Sequence, residues 1–169
     1  MWNDRFIDLF QRCVNRYQAG DRDFTRYYES PLDAALLAEI GYQPREFFDF
    51  VEDFCEEGDP SPSTALLIAA VRRDYFHVVM KGQPGTRQLT ANDLPTFGDE
   101  IHGIAYLPRI LAKARAKLRG ELDPNLMFGC GGDRAFLARH GDLHPADFLR
   151  QVWAAGDDDS KLVARLLRH

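Results

Sequence analysis

Residues 27–41 and 126–141 repeat one another, and the repetition limits what this chain can fold into. Asp33 matches Asp133, Ala35 Ala135, Leu37 Leu137, Ala38 Ala138 and Gly41 Gly141, with Leu36 opposite Phe136. Upstream, the same offset pairs Phe6 with Tyr106, Ile7 with Leu107, Phe10 with Ile110 and Gly20 with Gly120. A one-residue shift then pairs Pro44 with Pro145, Phe47 with Phe148 and Val51 with Val152, while Gly58 corresponds to Gly156. Unrelated helices can share a periodicity, but not the same glycines, prolines and aspartate in register. The chain therefore reads as an internal duplication, and each half, at roughly 70 residues, is marginal alone. The expected architecture is all-α, with two tandem helical repeats packed about a pseudo-twofold axis as in a fused dimer. Its divisions are residues 1–80, a linker over 81–99, and residues 100–169, the repeats sharing one core.

The elements follow from apolar spacing and breakers. Phe6, Ile7, Phe10, Val14 and Tyr17 make residues 4–19 an amphipathic helix that Gly20 ends. A short helix over 32–40 closes at Gly41, and Pro44 opens the next, with Phe47, Phe48, Val51 and Phe54 as its stripe. Ser63 reads as the cap of a further helix running to about Met80. The strand formers Tyr75, Phe76, Val78 and Val79 ahead of Gly82 and Gly85 make a short hairpin over residues 75–90 the alternative. In the second half the pattern restarts at Ile101 and continues to Gly120. A short helix over 133–140 follows, then one opened by Pro145, and a last helix carries Leu162, Val163, Leu166 and Leu167. In this reading Arg109, Lys113, Arg115, Lys117 and Arg119 line an outward basic face.

The net charge of −5 over 169 residues disfavours a general nucleic-acid binder. No apolar run approaches the roughly 18 residues of a membrane span. The opening Met1-Trp2-Asn3-Asp4-Arg5 lacks the apolar stretch of a signal peptide, so a cytoplasmic location is expected. Cys13, Cys55 and Cys130 form neither a disulfide framework nor a CxxC-type zinc site. No nucleotide fingerprint, phosphate loop or serine-hydrolase elbow is present, and no cofactor is implied.

Residues 100–168 resemble a family catalogued as domain of unknown function 5069. The resemblance rests on Gly103 to Arg109, Lys113 to Leu118 with Gly120, Cys130 with Asp133, and Phe136-Leu137, continuing through Gly141, Phe148 and the acidic turn before the last helix. Residues 4–80 would be a diverged second copy. In relatives a cysteine or small residue followed by Pro-Leu-Asp often precedes the short helix. Here that string survives after Ser30, while the second half has Gly131-Gly132-Asp133. The resemblance implies an all-helical fold and no particular activity.

Cys130 is the chief candidate for chemistry. A helix start just beyond it, with Arg134 nearby, favours a thiolate, and the flanking glycines allow close approach to the backbone. A nucleophile needs a base. His140 lies two helical turns further on, at the far end of the short helix, so it is not expected to reach the sulfur. The structural alternative is a small cysteine in a tight turn, equivalent to Ser30. Asp33 and Asp133 read as helix caps worth about 1 kcal/mol each, or else as an acid–base pair shared at the pseudo-twofold axis. His140 and His144 have ligand spacing, but Gly141 and Pro145 break any helix between them, so no metal site is expected. The leading functional expectation is a binding or interaction module taking a small anionic ligand or a protein partner in a cleft between the repeats. Its candidate residues are Ser30, Asp33, Cys130, Asp133, Arg134, Arg109 and Lys113. A small cysteine-dependent enzyme using Cys130 is the alternative.

Overall fold

The apolar stripes fold into helices almost throughout. The computed structural model describes residues 1–168, which divide into two compact units, the first Met1–Gly82 and the second beginning at Gln83. Among these residues no helix is long and apolar enough to cross a membrane. The fold is all-α apart from one two-stranded hairpin.

The first unit contains α1 (Trp2–Gln18), α2 (Pro31–Ile40), α3 (Pro44–Glu57) and α4 (Pro62–Val78). Its core is aromatic. Phe6 and Phe10 of α1 meet Phe47 of α3 at ring separations of 5.0 and 5.9 Å. Phe48 collects Tyr17, Phe24 and Tyr27. Such ring pairs add about 0.5–1.5 kcal/mol each beyond the area they bury. The ten-residue α2 is too short to stand alone in water; it holds by burying Leu36, Leu37 and Ile40. Gly41 ends it in the left-handed conformation, φ 73°.

Three boundaries differ from the sequence reading. The cap of α4 is Ser61, not Ser63: its Oγ accepts from the Thr64 N–H at 3.2 Å, and Pro62 fills the first helical position, where no N–H is needed. The helix stops at Val78, short of Met80, and residues 75–90 hold no hairpin. The hairpin lies instead at β1 (Glu100–Ile101) and β2 (Ile104–Ala105), within the stretch expected to begin a helix. His102 and Gly103, at φ 50° and 77°, provide the tight turn that joins these strands.

The second unit then runs through α5 (Leu107–Arg119), α6 (Gly131–Arg139), α7 (Pro145–Ala155) and α8 (Ser160–Leu166). Helix α7 packs on α5, α6 and α8. Its Phe148, Leu149 and Val152 are buried, as are Leu107, Ile110, Leu111 and Ala114 of α5. Residues 83–99 are bound into this unit. Leu89 exchanges backbone hydrogen bonds with Glu121 and Asp123, and a short turn over Ala91–Asp93 is fastened by Asp93 accepting from Thr90.

Candidate functional site

Helix α5 starts from an unusual residue. Tyr106 adopts φ 73°, a conformation that costs a non-glycine residue energy. Its N–H donates to the Asp99 carbonyl, and its own carbonyl accepts from Ile110 to start the helix. The ring packs on Phe136 of α6 at 5.6 Å, and the phenol donates to Asp133 Oδ1 at 2.7 Å. Seven residues on, Lys113 leaves the same side of α5 and reaches Asp133 Oδ2 at 2.6 Å. The carboxylate also accepts the Gly129 N–H at 2.9 Å. Asp133 is fully buried and Lys113 is only 4% exposed. A buried ion pair survives when its remaining polar atoms are hydrogen-bonded, and three donors on one carboxylate meet that condition.

Cys130 stands at the edge of this network. It is the N-cap of α6, half-buried, and its side chain makes no capping hydrogen bond. Lys113 Nζ donates to its Sγ at 3.3 Å instead. The preceding residue is held on both sides, with the Gly129 N–H donating to Asp133 and the Gly129 carbonyl accepting from Arg134 Nη1 at 2.8 Å. Gly129 sits at φ 87°, which only glycine adopts without strain. Gly132 is tightly placed for a different reason: a Cβ there would lie 3.1 Å from the Tyr106 hydroxyl, which would have to shift by a few tenths of an ångström. Burial, with the negative Asp133 beside it, pushes the Tyr106 phenol above its usual range, so it remains a hydrogen-bond donor at neutral pH.

Several expectations need correction here. Lys113 and Lys117 do not belong to a solvated basic face; both are buried. Arg109 is turned back, donating to the Pro95 carbonyl at 2.8 Å with its guanidinium 4.2 Å above the exposed Phe97 ring. Arg115 ties down the start of the last helix through the Gly156 carbonyl and Asp159. Neither Asp33 nor Asp133 is an N-cap. Those places belong to Ser30, whose Oγ accepts the Leu32 N–H, and to Cys130. Each aspartate lies three residues into its helix and pairs with a cation from the long helix of its own unit, because a buried carboxylate demands one.

In the first unit that cation is Arg12, bound to both oxygens of Asp33 at 3.0 and 2.8 Å. The Arg12 side chain is 47% exposed, and a second carboxylate, Asp8, shares it. No thiol stands at position 30. Cys13 is buried, and burial pushes its thiol up to about 12. At the three places where the second unit has Tyr106, Lys113 and Cys130, the first has Phe6, Cys13 and Ser30.

The histidines are elsewhere. His140 Nδ1 is engaged with the Phe136 carbonyl at 2.8 Å, and His144 caps α7 by accepting the Ala146 N–H. His102 is exposed in the hairpin turn. Among the described residues, no group of three or more histidine, cysteine, aspartate or glutamate side chains could hold a metal ion. Of the candidates, the fold brings together Lys113, Cys130, Asp133 and Arg134, and it keeps Ser30 with Asp33 in the first unit. Tyr106 was missed. Its signal was the spacing of Tyr106, Ile110, Lys113 and Lys117 at intervals of three and four, which puts two lysines and a phenol on one side of a helix. Comparison with family models, curated proteins and solved structures returns no match.

Proposed function

We propose that the second unit is a small thiol-dependent catalyst in which Cys130 attacks an electrophilic centre on a small anionic molecule. The observation that carries this reading is the position of Lys113 Nζ, 3.3 Å from Cys130 Sγ and 2.6 Å from Asp133. An ammonium held there attracts negative charge developing on the sulfur, and because Lys113 itself is buried the attraction is screened less than between two surface groups. Asp133, Tyr106 and Gly129 keep the lysine head from swinging away. The first turn of α6, as at any helix start, has N–H groups without intrahelical partners, and Gly131 and Gly132 leave them uncovered by side chains. That turn suits the anionic part of a substrate. Asp133 acts here as a positioning residue, because the side chain it contacts at the thiol is Lys113.

The unit-to-unit repetition fits the same reading. A duplicated ancestor would have kept the chemistry in one half and lost it in the other, where a half-exposed Arg12 on a buried Asp33 remains. Membership of residues 100–168 in the family they resemble, and a cytoplasmic setting, belong to this proposal. A reducing compartment would keep the three cysteines as thiols.

The test is alkylation of the native protein at neutral pH, read peptide by peptide. Cys130 is expected to react well ahead of Cys55 and Cys13. Equal rates at all three positions would contradict the proposal.

Binding without catalysis is the second reading, favoured by a pocket of about 390 Å³ in the first unit. Phe24, Tyr28, Leu37, Tyr42 and Pro44 line it, and the volume falls in the range of small-molecule sites. A small aromatic compound that shifts the resonances of these residues, while Cys130 stays inert, would favour it over the thiol reading.

A further inference from the structure

We infer that Lys113 traps oxidised Cys130 as a direct sulfur–nitrogen bond, protecting the thiol from irreversible oxidation by peroxide. The inference rests on the reading of Cys130 as a reactive thiol and adds a regulation of that same site.

Three observations carry it. The half-buried sulfur lies in a loop anchored on both sides, and the Lys113 amine is its donor at 3.3 Å. Lys113 is buried along its length, so it has no solvent-exposed place to move to. Cys130 is also the only cysteine after residue 82, so the second unit has no thiol of its own to resolve an oxidised sulfur by disulfide formation. A sulfenic acid that lacks a resolving thiol condenses with a nitrogen if one is close, or proceeds to the sulfinic acid.

The chemistry balances in two steps. In the first, the Cys130 sulfur attacks one oxygen of hydrogen peroxide. The S–O bond forms, the O–O bond breaks, and the second oxygen leaves as water; sulfur loses two electrons and peroxide gains them. In the second, the Lys113 ammonium passes a proton to Asp133 Oδ2, 2.6 Å away. The free amine then attacks sulfur. An S–N bond forms, the S–O bond breaks, and the hydroxyl leaves as water with the second proton of the amine, without further oxidation. A thiol reductant reverses the link by attacking the sulfur and returning the lysine. Tyr106 and Gly129 keep their hydrogen bonds to the carboxyl throughout, so the site survives the cycle.

The experiment treats the full-length protein with a small excess of hydrogen peroxide, quenches it, and maps the peptides by mass spectrometry. The expected product joins the peptide holding Lys113 to the peptide holding Cys130, lacks two hydrogens relative to the reduced pair, and disappears with dithiothreitol. Sulfinic acid at Cys130 without a cross-link, or a disulfide to Cys13 or Cys55, would overturn the inference. So would a cross-link retaining an extra oxygen, since direct condensation expels it. In Lys113→Arg, which keeps the positive charge, the link is expected to vanish and sulfinic acid to replace it. Rapid alkylation of Cys130 without any cross-link refutes this inference alone. A Cys130 inert to both reagents refutes the thiol reading beneath it.

Discussion

Replacing Lys113 by methionine removes the ammonium paired with the buried Asp133 carboxylate of the second unit. Methionine matches the lysine stem in length, so packing is nearly kept and the change reads out the charge. The two side chains are 5% and 0% exposed, and removing one member of such a pair costs about 3–5 kcal/mol. Tyr106 and Gly129 still donate to the orphaned carboxylate, which places the expected loss near the lower end, about 3 kcal/mol. With a urea dependence of about 2 kcal/mol per molar, the unfolding midpoint of the second unit falls by about 1.5 M. Arg12→Met is the internal control. Its side chain is 47% exposed against 8% for Asp33, so solvent reaches and screens this pair from one side and its loss should cost about 1–2 kcal/mol, less than at Lys113. The assay is urea unfolding followed by circular dichroism, with resonances of each unit monitored because the two need not unfold together. Adding Asp133→Asn to Lys113→Met should recover part of the loss, since it removes the stranded charge. Equal small losses for Lys113→Met and Arg12→Met would refute the reasoning, because the Lys113–Asp133 pair would then be hydrated rather than buried.

Phe136, 1% exposed and packed on Tyr106 and His140, should cost about 3–5 kcal/mol when truncated to alanine. Cys130→Ser should cost less than about 1 kcal/mol, because a hydroxyl accepts from Lys113 in the same place; denaturant melts of the two variants compare them directly. Alkaline pH should weaken the first unit, where burial and a hydrogen bond to Glu56 push the Tyr17 phenol up to about 12. Below about pH 10, the unfolded tyrosine value, both states keep the proton and this contribution is intact. Between about pH 10 and 12 the unfolded chain releases it while the folded chain holds it, so stability falls. Thermal melts across that window should drop less steeply for Tyr17→Phe than for the parent protein.

The parts of the fold legible in the sequence were those fixed by local chemistry. Gly41 in a left-handed turn and Pro44 and Pro145 at first helical positions express backbone preferences that no tertiary contact needs to supply. The paired cations were not legible. Lys113 stands three residues after Ile110 and four before Lys117, in phase with the buried side of α5. Sorting side chains by charge nevertheless assigns it to solvent. What buries it is Asp133, twenty residues later in another helix, and an interaction of that kind leaves no trace in the periodicity of either segment. The aspartates misled for a related reason: a carboxylate in the first turn of a helix looks like a cap, and only the position of α1 or α5 shows that it faces a cation. The hairpin was displaced because the strand formers from Tyr75 to Val78 continue a helix already under way. Ile101 to Ala105, read as the start of a helix, turns on His102 and Gly103 instead.

The most direct test of the account is the alkylation rate of Cys130 at neutral pH in the native protein, compared with Lys113→Met and Lys113→Arg after each variant is shown to be folded. A charge-assisted hydrogen bond to sulfur is worth about 1.5 kcal/mol, so losing it should slow the reaction about tenfold. The account predicts that slowing in Lys113→Met and a rate largely kept in Lys113→Arg, with Cys13 unreactive in all three proteins. A Cys130 that reacts at the same rate with and without the charge at position 113 would contradict it.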